Sequence, residues 1–128
     1  MKTLTIILTD GPYISEYAEI AYNIASEALK CSRANIRVNI FLYLDAVAIP
    51  RLGQKPSLFA DAGRRFQELA ERGATVRACA RCAGARGYLA REDGEGSCPD
   101  YHEGIKITSL YDLAEMLKES DRVIALSR

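Results

Sequence analysis

What most constrains the fold of this chain is an alternation. Short β-rich apolar runs take turns with segments of helical period from one end of the sequence to the other. Leu4 to Leu8 is the first such run. Tyr17, Ile20, Ala21, Ile24, Ala25, Ala28 and Leu29 then recur at helical spacing, with Ser15 placed to cap the helix. Ile36 to Leu44 predicts a second strand. Beyond a loop bearing Pro50, Gly53 and Pro56, the residues Leu58, Phe59, Ala62, Phe66, Leu69 and Ala70 mark a second helix, which Gly73 ends. Thr75 to Ala78 predicts a third strand, Cys79 to Arg86 one or two helical turns, and Ile105 to Thr108 a fourth strand. Ser109 and Asp112 resemble a capping box, opening a helix with the stripe Leu110, Leu113, Ala114 and Leu117. Arg122 to Leu126 is the last strand. Apolar runs separated by helices predict an α/β domain with a mostly parallel sheet covered on both faces, and residues 1–128 fit one domain.

Lys plus Arg and Asp plus Glu both number 17, so the formal net charge is zero. No global field draws the chain to nucleic acid or an anionic membrane, and neither is expected as a partner. The opening apolar run is too short for a spanning helix or a convincing export signal, and Asp10-Gly11-Pro12 turns the chain directly after it. A reducing, cytoplasmic setting is therefore expected, in which the four cysteines do not form structural disulfides.

Cys79, Cys82 and Cys98 crowd into 20 residues, while Cys31 stands alone near the end of the first helix, where a structural role is expected. Right-handed crossovers bring the Asp10 turn, the loop from Asp45 to Lys55, and Cys79 to one edge of the sheet, at the carboxyl ends of the strands. Open α/β sheets bind ligands there. Cys79 falls at a strand end and a helix start, a place that lowers a thiol pKa from about 8.5 toward roughly 3.5–7.5, and Arg77, Arg81 and Arg86 add positive potential. Such a site belongs in or beside a concave pocket.

Three chemistries fit. The first is sulfur transfer, with a persulfide on Cys79 and Cys82 assisting. The second is dithiol–disulfide exchange, although the aromatic residue usual before a thioredoxin-type CxxC and a cis-proline segment are missing. The third is zinc binding, because Cys79-x2-Cys82-x15-Cys98-x3-His102 approaches the spacing of structural sites. Asp10 and Asp45 end strands at the same edge and read as turn-formers or as orienting groups. Tyr13, Tyr17 and Tyr22 read as packing residues with polar tips.

The stretch Cys79-Ala-Arg-Cys-Ala-Gly-Ala-Arg-Gly87 resembles the cysteine motif of the DsrE/DsrF-like family, in which a cysteine after the third strand is followed by small residues and an Arg-Gly. Asp10-Gly11-Pro12-Tyr13, the strand Asn39 to Asp45, and Gly53-Gln54-Lys55-Pro56 are also similar to that family's pattern. The resemblance implies a three-layer α/β/α fold with a mostly parallel sheet of about five strands. It also implies a homotrimer or homohexamer, and persulfide transfer between donor and acceptor proteins in an intracellular sulfur relay. Its active cysteine falls on Cys79. The extra cysteines Cys82 and Cys98 depart from the pattern. The resulting expectation is a sulfur carrier or sulfurtransferase with Cys79 as nucleophile, Cys82 as secondary thiol and Arg86 as electrostatic support, needing no cofactor or metal. The alternatives are a non-catalytic oligomeric binding protein, zinc-stabilised through Cys79, Cys82, Cys98 and His102, or a CxxC redox protein.

Overall fold

The computed structural model describes residues 1–31 and 35–128. Five parallel strands form one sheet: β1 (Lys2–Leu8), β2 (Ile36–Leu42), β3 (Thr75–Cys79), β4 (Ile105–Thr108) and β5 (Arg122–Leu126), in the order β4-β3-β2-β1-β5. The helices are α1 (Tyr17–Lys30), α2 (Ala62–Glu71), α3 (Ala80–Ala85) and α4 (Leu110–Glu119), and a 3-10 turn spans Leu44–Ala48. Expected strands and helices all occur among the described residues, and none of these helices is long and apolar enough to cross a membrane.

The strand order explains the layering. From β1 to β4 the chain steps one way across the sheet, and right-handed connections keep α1 and α2 on one face. The step from β4 back past β1 to β5 reverses direction and sends α4 across the other face. Connections leaving β3 and β4 thus diverge, the arrangement at which open α/β sheets bind ligands.

Ile6, Leu8, Val38, Ile40, Leu42, Val76 and Ala78 lie on the face toward α1 and α2 and are fully buried there. Each large side chain among them stabilises the fold by about 1.5–3 kcal/mol. Ala21 and Ala25 let α1 approach closely, while the Arg72 guanidinium ties α2 to α1 through Ser26 Oγ and O at 2.8 and 2.9 Å. The α4 face is more polar. Thr5 and Asn39 stand side by side in register, buried, with the Asn39 amide donating to Thr5 Oγ1 at 3.4 Å and the Thr5 and Ser120 hydroxyls bonded to each other.

Several boundaries differ from expectation. Leu58 and Phe59 precede α2 and are 89% and 62% exposed, because Asp61 caps the helix by accepting from Arg64 N at 3.1 Å and fixes its start at Ala62. β2 ends at Leu42, where the chain turns into the 3-10 segment. Glu16, not Ser15, holds the capping position of α1, although Ser15 Oγ accepts from Tyr17 N at 3.3 Å. At α4, Ser109 occupies the cap without a side-chain bond, and the Asp112 carboxylate accepts from Thr108 instead. Leu110 and Leu117 of the stripe are 37% and 38% exposed, and Met116 is the residue α4 buries.

Candidate functional site

Cys79 closes β3, in register with Thr108 of β4, and its extended backbone (φ −64°, ψ 124°) starts α3. It therefore stands at the carboxyl edge of the sheet, between β3 and β4. The small residues Ala80, Ala83, Gly84 and Ala85 let the short helix turn tightly against the sheet end, and Cys82 comes one turn later beside Cys79. Both thiols are covered: Cys79 is 1% and Cys82 8% exposed. The expected open pocket around Cys79 is not what the chain forms. Its three described cavities, of about 480, 550 and 280 Å³, are all lined by other residues. The reason is packing of α3 against the 3-10 turn Leu44–Ala48, which closes over the strand ends.

Leu44 takes the left-handed backbone (φ +52°), uncommon for a branched residue, and presents its backbone to the Cys82 thiol. Burial pushes that thiol up. The Leu44 hydrogen bond works against it, the Cys79 thiol adds to it, and the Arg86 charge draws it down a little. A raised folded-state pKa means that this thiol's contribution to stability is whole below its unfolded value and is lost as pH rises through the folded value. The difference in unfolding free energy between wild type and Cys82→Ala should accordingly shrink from about pH 7 to about pH 10, as read by denaturant titration. A constant difference would contradict the assignment.

Of the three arginines expected to surround Cys79, one reaches the thiol turn. Arg77 donates to the carbonyl of Val76 at 2.9 Å, with burial pulling its pKa down, and faces Asp112 and Glu115 beneath α4. Arg81 points to solvent. Arg86 donates from Nε and Nη2 to Asp45 Oδ1, at 3.0 and 2.8 Å, and from Nη1 to the Cys82 carbonyl at 3.0 Å. Its charge is thus engaged by Asp45, which the sequence placed at this edge without a partner. Asp10, at the end of β1, is buried with Arg128 Nε 2.9 Å from its Oδ2.

The four zinc-spaced residues do not assemble. Among the described residues no group of three or more His, Cys, Asp or Glu side chains is arranged to hold a metal ion. Segment 98–102 is instead pinned to the loop after β2. Leu52 N donates to Asp100 O at 2.8 Å, His102 N to Pro50 O at 2.9 Å, and the Tyr101 hydroxyl to Val47 O at 2.6 Å. Burial drives that hydroxyl far above its ordinary pKa. The amide nitrogen of Gln67 donates to Glu71, which leaves Gln67 Oε1, 2.7 Å away, to accept from His102 Nδ1–H. Cys98 is buried and lines the 550 Å³ cavity with Tyr101 and His102. Cys31 is exposed at the end of α1, so no packing role falls to it.

A further hollow, of about 480 Å³, lies between the turn after β1 and the segment before α2. Tyr13, at φ +69°, bridges them: its hydroxyl accepts from Ala62 N at 3.1 Å and donates to Gln54 Oε1 at 2.5 Å. Only the Gly11-Pro12 turn hinted at this arrangement in the sequence.

Comparison with known proteins agrees with this architecture. The model of the DsrE/DsrF-like family matches residues 2–126. An uncharacterized protein of Methanocaldococcus jannaschii is 36% identical over 120 residues, covering 94% of this chain and 96% of its own length. One from Methanopyrus kandleri is 34% identical over 124 residues, covering 97% and 93%. The crystal structure of the ychN protein from E. coli superposes with a TM-score of 0.77 at 24% identity, covering 98% of this chain and 100% of that one.

Proposed function

We propose, from the premise that this chain belongs to the DsrE/DsrF-like family, that it is a sulfur carrier in which Cys79 holds a persulfide and Cys82 governs its release. The observation that carries the reading is the placement of Cys79 at the carboxyl end of β3, beside β4, with a second thiol one helical turn on. Among the described residues, Cys79 is the cysteine that lies on a strand of the sheet, and the Cys82 thiol is beside it. Loading proceeds by attack of the Cys79 thiolate on the outer sulfur of a sulfane donor such as thiosulfate. A new S–S bond forms to Sγ, the donor's S–S bond breaks, and sulfite departs with its electron pair; the thiol proton has gone to solvent. Release follows when an acceptor thiolate takes the outer sulfur. Alternatively, the Cys82 thiolate attacks Cys79 Sγ, forming a Cys79–Cys82 disulfide and expelling hydrosulfide. The same geometry makes dithiol–disulfide exchange the second reading, favoured by the contact between the two thiols.

Intact-mass spectrometry after incubation with thiosulfate tests the assignment: a gain of one sulfur atom, reversed by dithiothreitol, is expected. A protein that never gains sulfur, yet cycles between dithiol and disulfide, would establish the second reading instead.

The relay partners are donor and acceptor proteins, and the carrier works as a homotrimer or homohexamer. The edge strands β4 and β5 lack outer neighbours among the described strands, and Val123 of β5 and Leu117 and Tyr111 of α4 are exposed. Light scattering at micromolar concentration should give three or six times the 14.1 kDa chain mass, and a monomer would remove this part of the proposal.

A further inference from the structure

The thiols that sulfur loading needs are covered, and the structure shows by what. α3 packs against the 3-10 turn Leu44–Ala48, and Arg86 and Asp45 form an ion pair joining the two segments. The Leu44 backbone bonds the Cys82 thiol, and one guanidinium adds three bonds: two to Asp45 Oδ1 and one to the carbonyl of Cys82. The turn bearing both thiols is thereby bolted to the segment that lies over it. The bolt itself faces outward, with the Asp45 side chain 65% and the Arg86 side chain 33% exposed, so an ion from solvent reaches it. Ion pairs in such positions exchange readily with competing anions. A guanidinium favours oxyanions, carboxylate or phosphate-like, that accept two parallel bonds.

We infer that the Asp45–Arg86 pair is a clasp over the Cys79–Cys82 turn, and that an anionic sulfane donor opens it by replacing Asp45 on Arg86. The inference rests on the sulfur-carrier reading and adds two things to it. The sulfane group delivered is anionic, whether free or carried by the donor protein, and its arrival rather than prior exposure uncovers the thiol. The charged or titratable groups acting on the Cys82 thiol are Cys79 and Arg86, and Asp45 acts through Arg86. Arg77 and Arg81 are directed elsewhere. Exchanging the carboxylate for a donor therefore leaves the anion on the guanidinium that also holds the Cys82 carbonyl, one turn from Cys79.

The test is site-resolved alkylation with no sulfur donor present, comparing neutral iodoacetamide with anionic iodoacetate on wild type, Asp45→Asn and Arg86→Gln. Asp45→Asn should raise the iodoacetamide rate at Cys79 and Cys82 about fivefold, and the iodoacetate rate by more, because Arg86 is then unengaged. Arg86→Gln should raise the iodoacetamide rate and remove the gain for iodoacetate. Cys98, buried at a different place, reports general loosening and should stay slow throughout; exposed Cys31 gives the intrinsic rate of each reagent. An Asp45→Asn rate equal to wild type overturns the clasp, as does one that rises in step with Cys98. So does an Arg86→Gln protein whose iodoacetate rate rises as far as that of Asp45→Asn. Thiosulfate loading is measured separately by mass. If loading fails while the alkylation pattern holds, the carrier reading falls together with the sulfane donor as the opening anion, and the Asp45–Arg86 clasp over the thiols stands.

Discussion

Cys79→Ser should abolish sulfur loading, with the mass gain after thiosulfate treatment falling at least about a hundredfold while the far-ultraviolet spectrum and melting temperature stay near wild type. The exchange of sulfur for oxygen is nearly isosteric, and Ser can start α3 at least as well as Cys, so the fold has no reason to fail. What disappears is the polarizable thiolate, and a serine hydroxyl at neutral pH supplies almost no nucleophile without a general base. Among the described residues, two candidate bases are engaged elsewhere: Asp45 is bound to Arg86, and His102 is bound to Gln67. Cys31→Ser should load as wild type does, because Cys31 lies at the far end of α1. Cys82→Ser should still load but keep its sulfur longer, since the internal thiol that expels it is gone. Loading that survives Cys79→Ser and is lost in Cys82→Ser would reverse the two roles.

The sheet was legible because its evidence is local. Apolar runs such as Leu4 to Leu8 and Ile36 to Leu44 have no other use in a chain with interleaved helical periods, and the crossover rule then places Cys79 at the carboxyl edge. The cysteine pair was legible for the same reason, since its spacing and its place after a strand are written in consecutive residues. What could not be read were side-chain directions set by distant parts of the chain. Arg77, Arg81 and Arg86 look alike in sequence, yet β3 aims the first at α4, and only the last finds Asp45, 41 positions earlier. Leu58 and Phe59 fit the helical period of α2, but Asp61 provides the stronger start signal. Covering of the thiols depends on Leu44 adopting a left-handed backbone, for which no residue type in that stretch gives warning. Cys98 and His102 match a zinc spacing, but spacing says nothing about the hydrogen bonds that draw their segment to the loop after β2.

His102 has a different task, and its measure is Gly63→Leu, which should destabilise the protein by about 3 kcal/mol, read by urea denaturation. Gly63 sits in the first turn of α2, where alanine or leucine would normally strengthen the helix. Its absent side chain is what the fold uses. A Cβ there would lie 2.6 Å from His102 Cδ2, 2.9 Å from Nε2 and 3.0 Å from the Arg51 carbonyl oxygen. The imidazole ring fills that space, held by Gln67 on the same helix, while the His102 amide donates to Pro50 O. Ring and glycine together seat the 98–102 segment on α2 and on the loop after β2. A side chain at position 63 pushes against two different things, one mobile and one not. His102→Ala should cost stability on its own, through the lost Gln67 bond and the vacated space. In the Gly63→Leu background it should cost much less, because the clash with the ring goes with it; the clash with the Arg51 carbonyl remains. Such coupling between contacting residues is expected to reach about 0.5–3 kcal/mol in a double-mutant cycle. Strict additivity of the two substitutions would mean that ring and glycine do not meet, and that His102 takes no part in seating the segment.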